Sequence, residues 1–303
     1  MSRRWLRRFL WICAALLMLP IVMYLAADAW LESSGGRRLL ERELSGRIGM
    51  EVKIDGDFDL MLIPSIGMSG TNLVVGGPDE GEVFASSRVF EVSVALQPLL
   101  NRNVQVEWIR LSGGRVHPGR YQPAKDHDGV SNLDLPAIGE LTVRDFRFIF
   151  SDNEEDAFAL SEFSVREFTA NSETPFSLAA GEDISARGFL RWHSAAAVLH
   201  LNGLNLGLGE QSVSGRACLK LSQPFSVDAE LHAGVLDLDA VRQALAGYSP
   251  AGTGGSRGVD EGGGWISGIN IALSVDELVS GDTLAKGVEM RMGQPAMAVC
   301  GSD

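Results

Sequence analysis

Apolar residues fall on every second position through much of this chain, and that spacing limits what it can fold into. In Glu51-Val52-Lys53-Ile54-Asp55-Gly56-Asp57-Phe58-Asp59-Leu60-Met61-Leu62 they take the even positions from Val52 to Leu62, with Gly56 interrupting. Strict alternation builds a strand with one greasy and one wet face. A glycine inside such a run marks a bulge or a tight turn. The pattern returns at Val92-Ser93-Val94-Ala95-Leu96, Val104-Gln105-Val106-Glu107-Trp108, Leu141-Thr142-Val143 and Phe146-Arg147-Phe148-Ile149-Phe150. It continues at Leu199 and Leu201, resumes after Gly203 at Leu204, Leu206 and Leu208, and recurs over Phe225–Leu231, Ile269–Val275 and Val288–Met292.

The spacing predicts a mainly β fold. Continuous apolar strands would mean a sheet covered on both sides. These strands are amphipathic, so their greasy faces must meet each other or something else. A closed sandwich or barrel is one solution, and an open sheet curled around a lipid is the other; spacing does not choose between them. Two helices are expected beside the strands. One runs from Glu32 to Ile48, with Leu39, Leu40 and Leu44 on one face and Gly46 as a stop; the other runs from Asp239 to Leu245, with Asp237 or Asp239 as N-cap.

The N-terminus sets the compartment. Phe9–Ala27 carries no charged residue, Arg3, Arg4, Arg7 and Arg8 precede it, and Asp28 and Glu32 follow. A membrane-spanning helix needs about 20 mostly apolar residues. Positive charge on the N-terminal side predicts a cytoplasmic N-terminus and a body on the far side of the membrane. Ala27-Asp28-Ala29 also has the small-x-small pattern of a signal-peptidase site. The run is longer than the usual signal-peptide core of about 7–15 residues, which favours the anchor. Both readings export the body.

With a formal net charge of −13, the surface repels phosphate backbones, so no nucleic-acid partner is expected. His117, His127, His193, His200 and His232 form no H-E-x-x-H or H-x-H pair, and Cys13, Cys218 and Cys300 form no C-x-x-C. No metal site and no cofactor are expected, and Cys218 and Cys300 are read as buried small hydrophobes rather than a disulfide pair. Asp152-Asn153-Glu154-Glu155-Asp156 lacks the alternating ligands of a calcium loop and reads as a solvated turn. Neither a G-x-S-x-G elbow nor a phosphate-binding G-x-x-x-x-G-K-[ST] loop occurs, so no catalytic residue is nominated and an enzyme is not expected.

Several segments together resemble the AsmA family of bacterial envelope proteins. Leu44-Ser45-Gly46-Arg47-Ile48-Gly49-Met50 leads into the first alternating strand much as that family's opening segment does, and Pro64 follows a Leu-x-Leu step. Val92-Ser93-Val94-Ala95-Leu96-Gln97-Pro98-Leu99-Leu100 resembles the family's val-x-val-x-leu-x-pro-leu-leu block, running on into Val104–Val116. Gly129-Val130-Ser131-Asn132-Leu133 resembles its gly-x-x-asn-trp turn, with Leu133 in place of the aromatic, and Gly234–Asp239 resembles a later segment. The family would add closing strands after Met292, so a short or truncated member is expected.

The resemblance implies a transmembrane helix, a capping helix, then an elongated, curled, mostly antiparallel β-sheet groove with few short helices. The organisation it implies is a cytoplasmic basic tail at 1–8, a membrane helix at 9–29, a periplasmic β-rich domain at 30–250, a Gly-rich linker at 251–264 and a final β segment at 265–303. It also implies kinship with bridge-like lipid transfer proteins, with inner-membrane anchoring and phospholipid or another membrane lipid as partner. The groove lining expected on this basis is Val52, Ile54, Phe58, Leu60, Val92, Val94, Val104, Val106, Val143, Phe146 and Phe148. The alternative function is a non-enzymatic assembly factor that binds outer-membrane proteins along an exposed strand edge.

Overall fold

The computed structural model describes residues 34–48, 50–61, 66–76, 83–101, 103–120, 136–149, 157–220, 225–245 and 266–293. The expected membrane helix with its four arginines, Pro64, the 129–133 turn, the acidic 152–156 run and the Gly-rich linker all lie outside these residues. Among the described residues no helix is long and apolar enough to cross a membrane.

The body is mainly β. Fourteen strands form one mostly antiparallel open sheet. Helix α1 (Ser34–Ile48) comes first. It leads to β1 (Glu51–Ile54), β2 (Phe58–Met61), β3 (Ile66–Gly76) and β4 (Val83–Val94). A single-turn helix α2 (Leu96–Leu100) precedes β5 (Val106–Val116). Then come β6 (Ile138–Ile149), β7 (Ala157–Phe168), β8 (Thr174–Ala180), β9 (Ile184–His193), β10 (Val198–Leu208), β11 (Gln211–Lys220) and β12 (Phe225–Asp237). Helix α3 (Leu238–Leu245) precedes the last hairpin, β13 (Ile266–Ser280) and β14 (Thr283–Met292).

From β3 to β14 spatial order follows chain order, and β1 and β2 share the outer side of β3 as one interrupted strand. Gly56 causes the interruption. Asp55 and Gly56 donate their N–H groups to Asn72 and Thr71 carbonyls at 3.2 Å each, and a Cβ on Gly56 would strike Thr71. Two neighbours are parallel, β5 with β6 and β12 with β13, each joined by a long connection. The described residues therefore make one open sheet, with neither a second sheet packed on it nor a closed barrel among them.

One irregularity shapes the N-terminal half. Asn72, Gly113 and Asp145 all have positive φ, at 55°, 68° and 55°. The register sets Asn72 opposite Arg88, Arg88 opposite Gly113, and Gly113 opposite Asp145, so the three make a crease across neighbouring strands. Glycine, asparagine and aspartate are the residues that enter the left-handed region at least cost. At the crease the side-chain alternation slips by one. Phe90 and Ser87, Leu111 and Gly114, and Val143 and Phe146 therefore stand three apart yet share a face.

Helix α1 closes the first sheet edge. Ser45 Oγ accepts the Val52 N–H at 2.8 Å, Glu41 Oε1 accepts the Ile54 N–H at 3.0 Å, and Arg37 Nη1 donates to the Ile54 carbonyl at 3.2 Å. Positions four apart lie on one side of a helix, so residues 37, 41 and 45 stand in for the missing neighbour strand. Glu41→Ala should leave the Ile54 N–H unpaired and lower stability by about 1–2 kcal/mol. Amide exchange at Ile54 should accelerate in this variant while β9 and β10 stay protected.

Candidate functional site: the apolar face

Paired residues in neighbouring strands point to the same side of a sheet, so the register can be followed across the molecule. Starting at Phe58, the partners run Gly70, Phe90, Leu111, Val143, Phe163, Leu178, Ala186, Leu206 and Val213. Val213 packs in one cluster with Ala233, which pairs with Val275, which pairs with Val288. This row has no polar side chain from β2 to β14. A second row runs from Leu60 through Met68, Val92, Ile109, Leu141, Val165 and Phe176. After the bulge at Gly203 it continues through Leu204, Gly215, Leu231, Leu273 and Met290.

The opposite side is its negative image. The row between these two reads Asp59, Ser69, Glu91, Arg110, Thr142, Ser164, Ser177, Arg187, Asn205, Ser214, His232, Ser274 and Glu289. Its groups bond to one another. Ser164 and Ser177 hydroxyls meet at 2.8 Å, His232 Nδ1 lies 3.1 Å from Ser274 Oγ, and Arg110 sits between Glu91 and Glu140 at 3.8 Å each while stacking on Trp108. These pairs are solvent-exposed, so each contributes little to stability; they keep this side wet.

Glycines in the apolar rows are seats for aromatic rings. A Cβ on Gly70 would come within 2.6 Å of the Phe90 ring, and one on Gly114 would strike Phe146. Phe58 and Phe90 centroids are 6.5 Å apart, and Phe163 and Phe176 6.3 Å, distances at which aromatic pairs attract.

Ten of the eleven residues expected to line the groove stand on this face by register. Phe58, Val106 and Phe146 are buried, while Val92, Val94, Val143 and Phe148 are half-buried. Leu60 is placed by the backbone register alone. Val52 and Ile54 are each only 2 % exposed at the edge that α1 closes, and Ile54 packs in one cluster with Phe58 and Phe90. Val104 is a correction. It lies before β5 in a turn closed by Asn103 N–H to Pro98 O at 3.0 Å and Ala95 N–H to Gln105 O at 2.9 Å, and it is 53 % exposed. Trp108 departs from the expected alternation as well. The register slips between Ser93 and Val94, leaving Glu107 as an extra residue, and this turns Trp108 to the polar side. Cys218 is buried, as expected of a small hydrophobe, but it is disulfide-bonded, against expectation.

Sequence reasoning missed much of the lining. Phe163, Val165, Phe176, Leu178 and Leu190 come from β7, β8 and β9, which it did not identify. In β7 the apolar residues Phe158, Leu160, Phe163, Val165 and Phe168 are spaced two, three, two and three apart, and a positive φ at Glu167 (58°) accounts for the last step. In β9, Phe189 sits on the polar side at 48 % exposure and hides the alternation of Ala186, Gly188, Leu190 and Trp192.

Among the described residues, cover over the face is partial. Helix α3 packs Leu238 and Val241 against Val213, Ala233, Leu236 and Val275. Asp237 caps it, its Oδ1 accepting the Asp239 and Ala240 N–H groups at 2.8 and 3.3 Å, and Asp239 Oδ2 ties it to the β13–β14 turn through Gly281 N–H at 2.9 Å. At the other end of the same strands Ile269, Met290 and Met292 remain 42 %, 39 % and 62 % exposed. Among the described residues no group of three or more His, Cys, Asp or Glu side chains is placed to hold a metal ion.

No protein-family model matches the chain, and no curated protein matches it.

Phe146→Ala should open a cavity above Gly114 and lower stability by about 3–4 kcal/mol. Gly113→Ala should lose about 1–2 kcal/mol, because an L-residue is strained at φ 68° and its Cβ would meet the Arg88 guanidinium at 2.8 Å. Urea denaturation of each variant checks both values.

Proposed function

We propose that this is an exported, AsmA-like protein, anchored in a bacterial inner membrane by a single N-terminal helix, whose periplasmic sheet holds or conducts phospholipid on its apolar face. It supports outer-membrane lipid homeostasis and catalyses no reaction. The observation that carries the reading is the unbroken apolar row from Phe58 to Val288 on a one-layer sheet. A solvated protein of this size rarely leaves a dry strip of such length without an occupant. Thirteen strand positions spaced about 4.8 Å apart extend roughly 60 Å. Each methylene of an acyl chain laid on the strip contributes about 0.8 kcal/mol, so a chain of about sixteen carbons gains on the order of 12 kcal/mol before ordering costs.

Three further observations support export and lipid handling. The arginine cluster precedes an uncharged stretch of membrane-spanning length. Cys218 is disulfide-bonded, a state that persists in oxidising compartments. The polar side balances exposed arginines with glutamates and offers no surplus of positive charge to a nucleic acid. The assembly-factor alternative draws instead on the edge of β14, which no described strand covers, since an unpaired strand can accept a strand from an unfolded outer-membrane protein.

The test is lipid mass spectrometry on the body from Glu32 onward, secreted to the periplasm. Near-stoichiometric phospholipid should accompany it. Leu231→Asp, on the apolar face, should strip most of that lipid, while Ser214→Asp, on the neighbouring strand's polar face, should retain it. A folded, lipid-free wild-type body that captures unfolded β-barrel precursors would put the assembly-factor reading first.

A further inference from the structure

The two edges of the sheet are treated differently. The β1 edge is filled by side chains of α1, whereas β14 pairs with β13 on one side and has no second partner strand among the described residues. An uncovered strand presents a row of N–H and C=O groups ready to pair.

The sequence of that strand is complementary to itself. Its last segment reads Val288-Glu289-Met290-Arg291-Met292. Pairing with β13 places Val288, Met290 and Met292 on the apolar face, opposite Val275, Leu273 and Ile271, and Glu289 and Arg291 on the polar face, opposite Ser274 and Ala272. Set antiparallel against a second copy about a two-fold axis through Met290, the segment matches at every position. Val288 meets Met292 of the other copy, Met290 meets its own equivalent, and Glu289 meets Arg291, twice over.

Both faces of the sheet then continue across the junction. The apolar strip gains apolar neighbours, covering Met290 and Met292. On the polar side Glu289 and Arg291, which have no ion-pair partner among the described residues, acquire one each. Lys286, three residues earlier, is already held by Glu277 at 2.9 Å, a hydrogen bond that raises its pKa, so it does not compete for Glu289. Charge also selects the register. Moving the axis one residue, to Glu289 or Arg291, would set like charges directly opposite each other at the centre, which is unfavourable.

From this we infer that the chain forms a two-fold dimer through β14, in which Glu289 and Arg291 pair reciprocally around Met290 and two sheets become one. The inference is independent of what lies on the apolar face. An antiparallel pair brings opposed Cα atoms to about 4.5–5.5 Å, within the range a disulfide spans.

The test uses the full chain in the membranes of expressing cells. Met290→Cys should give a disulfide-linked dimer on non-reducing gels that the wild type, with its three native cysteines, does not. Adding Arg291→Glu should set two pairs of like charges against each other and reduce the crosslinked fraction by about tenfold. Adding Glu289→Arg to that variant reverses both pairs and should restore crosslinking, a rescue that misfolding would not give. Light scattering of the detergent-extracted full chain should report a dimer for wild type and for the Glu289→Arg/Arg291→Glu double variant. A monomer for wild type, or a crosslink indifferent to Arg291→Glu, would each overturn the inference.

Discussion

A slip of one residue in the pairing of any strand would turn its apolar side chains to the wet side. This molecule holds register across thirteen strand positions, and its properties rest on that. The row from Phe58 to Val288 and the row from Asp59 to Glu289 are neighbours in sequence at every strand, yet one is wholly apolar and the other wholly polar. Irregularities do not break the segregation. At the crease through Asn72, Gly113 and Asp145, and again at Gly203 and Glu107, one extra or left-handed residue is absorbed and the apolar side chains return to the same side.

A sheet of this kind has two liabilities, its edges and its dry face. The first edge is closed by three side chains of α1 that take the place of a strand. Part of the dry face is closed by α3, whose N-terminal end is tied down by Asp237 and Asp239. Among the described residues nothing covers the middle of the strip, the Ile269–Met290–Met292 corner or the edge of β14. The proposed lipid and the proposed second copy address different liabilities.

The β class, the two longer helices and the sharing of one face by ten of the eleven named residues were legible because amphipathic alternation is a direct consequence of strand geometry. Gly56 and Gly203 were recognisable as interruptions, since glycine within an alternating run has few other uses. What escaped notice has physical causes. Left-handed residues, Asp145 in β6 and Glu167 in β7, shift the alternation from two to three, so these strands look irregular although their face is continuous. Val104 continues an alternating pattern in sequence, but the turn after Pro98 consumes those residues before β5 begins. That a single layer would form, rather than a sandwich, was not readable from spacing, which fixes which residues share a face and says nothing of what the face meets; only the family resemblance implied an open sheet.

The central claim is that phospholipid lies along one side of this sheet only. Leu206 and Asn205 are adjacent in β10 and project to opposite sides, one in the apolar row and one in the polar row. A photo-activatable amino acid placed at each position in turn, irradiated in living cells, reports what each side touches. Phospholipid adducts at position 206 and none at 205 are the expected result. Adducts at neither position, or equally at both, would contradict the account.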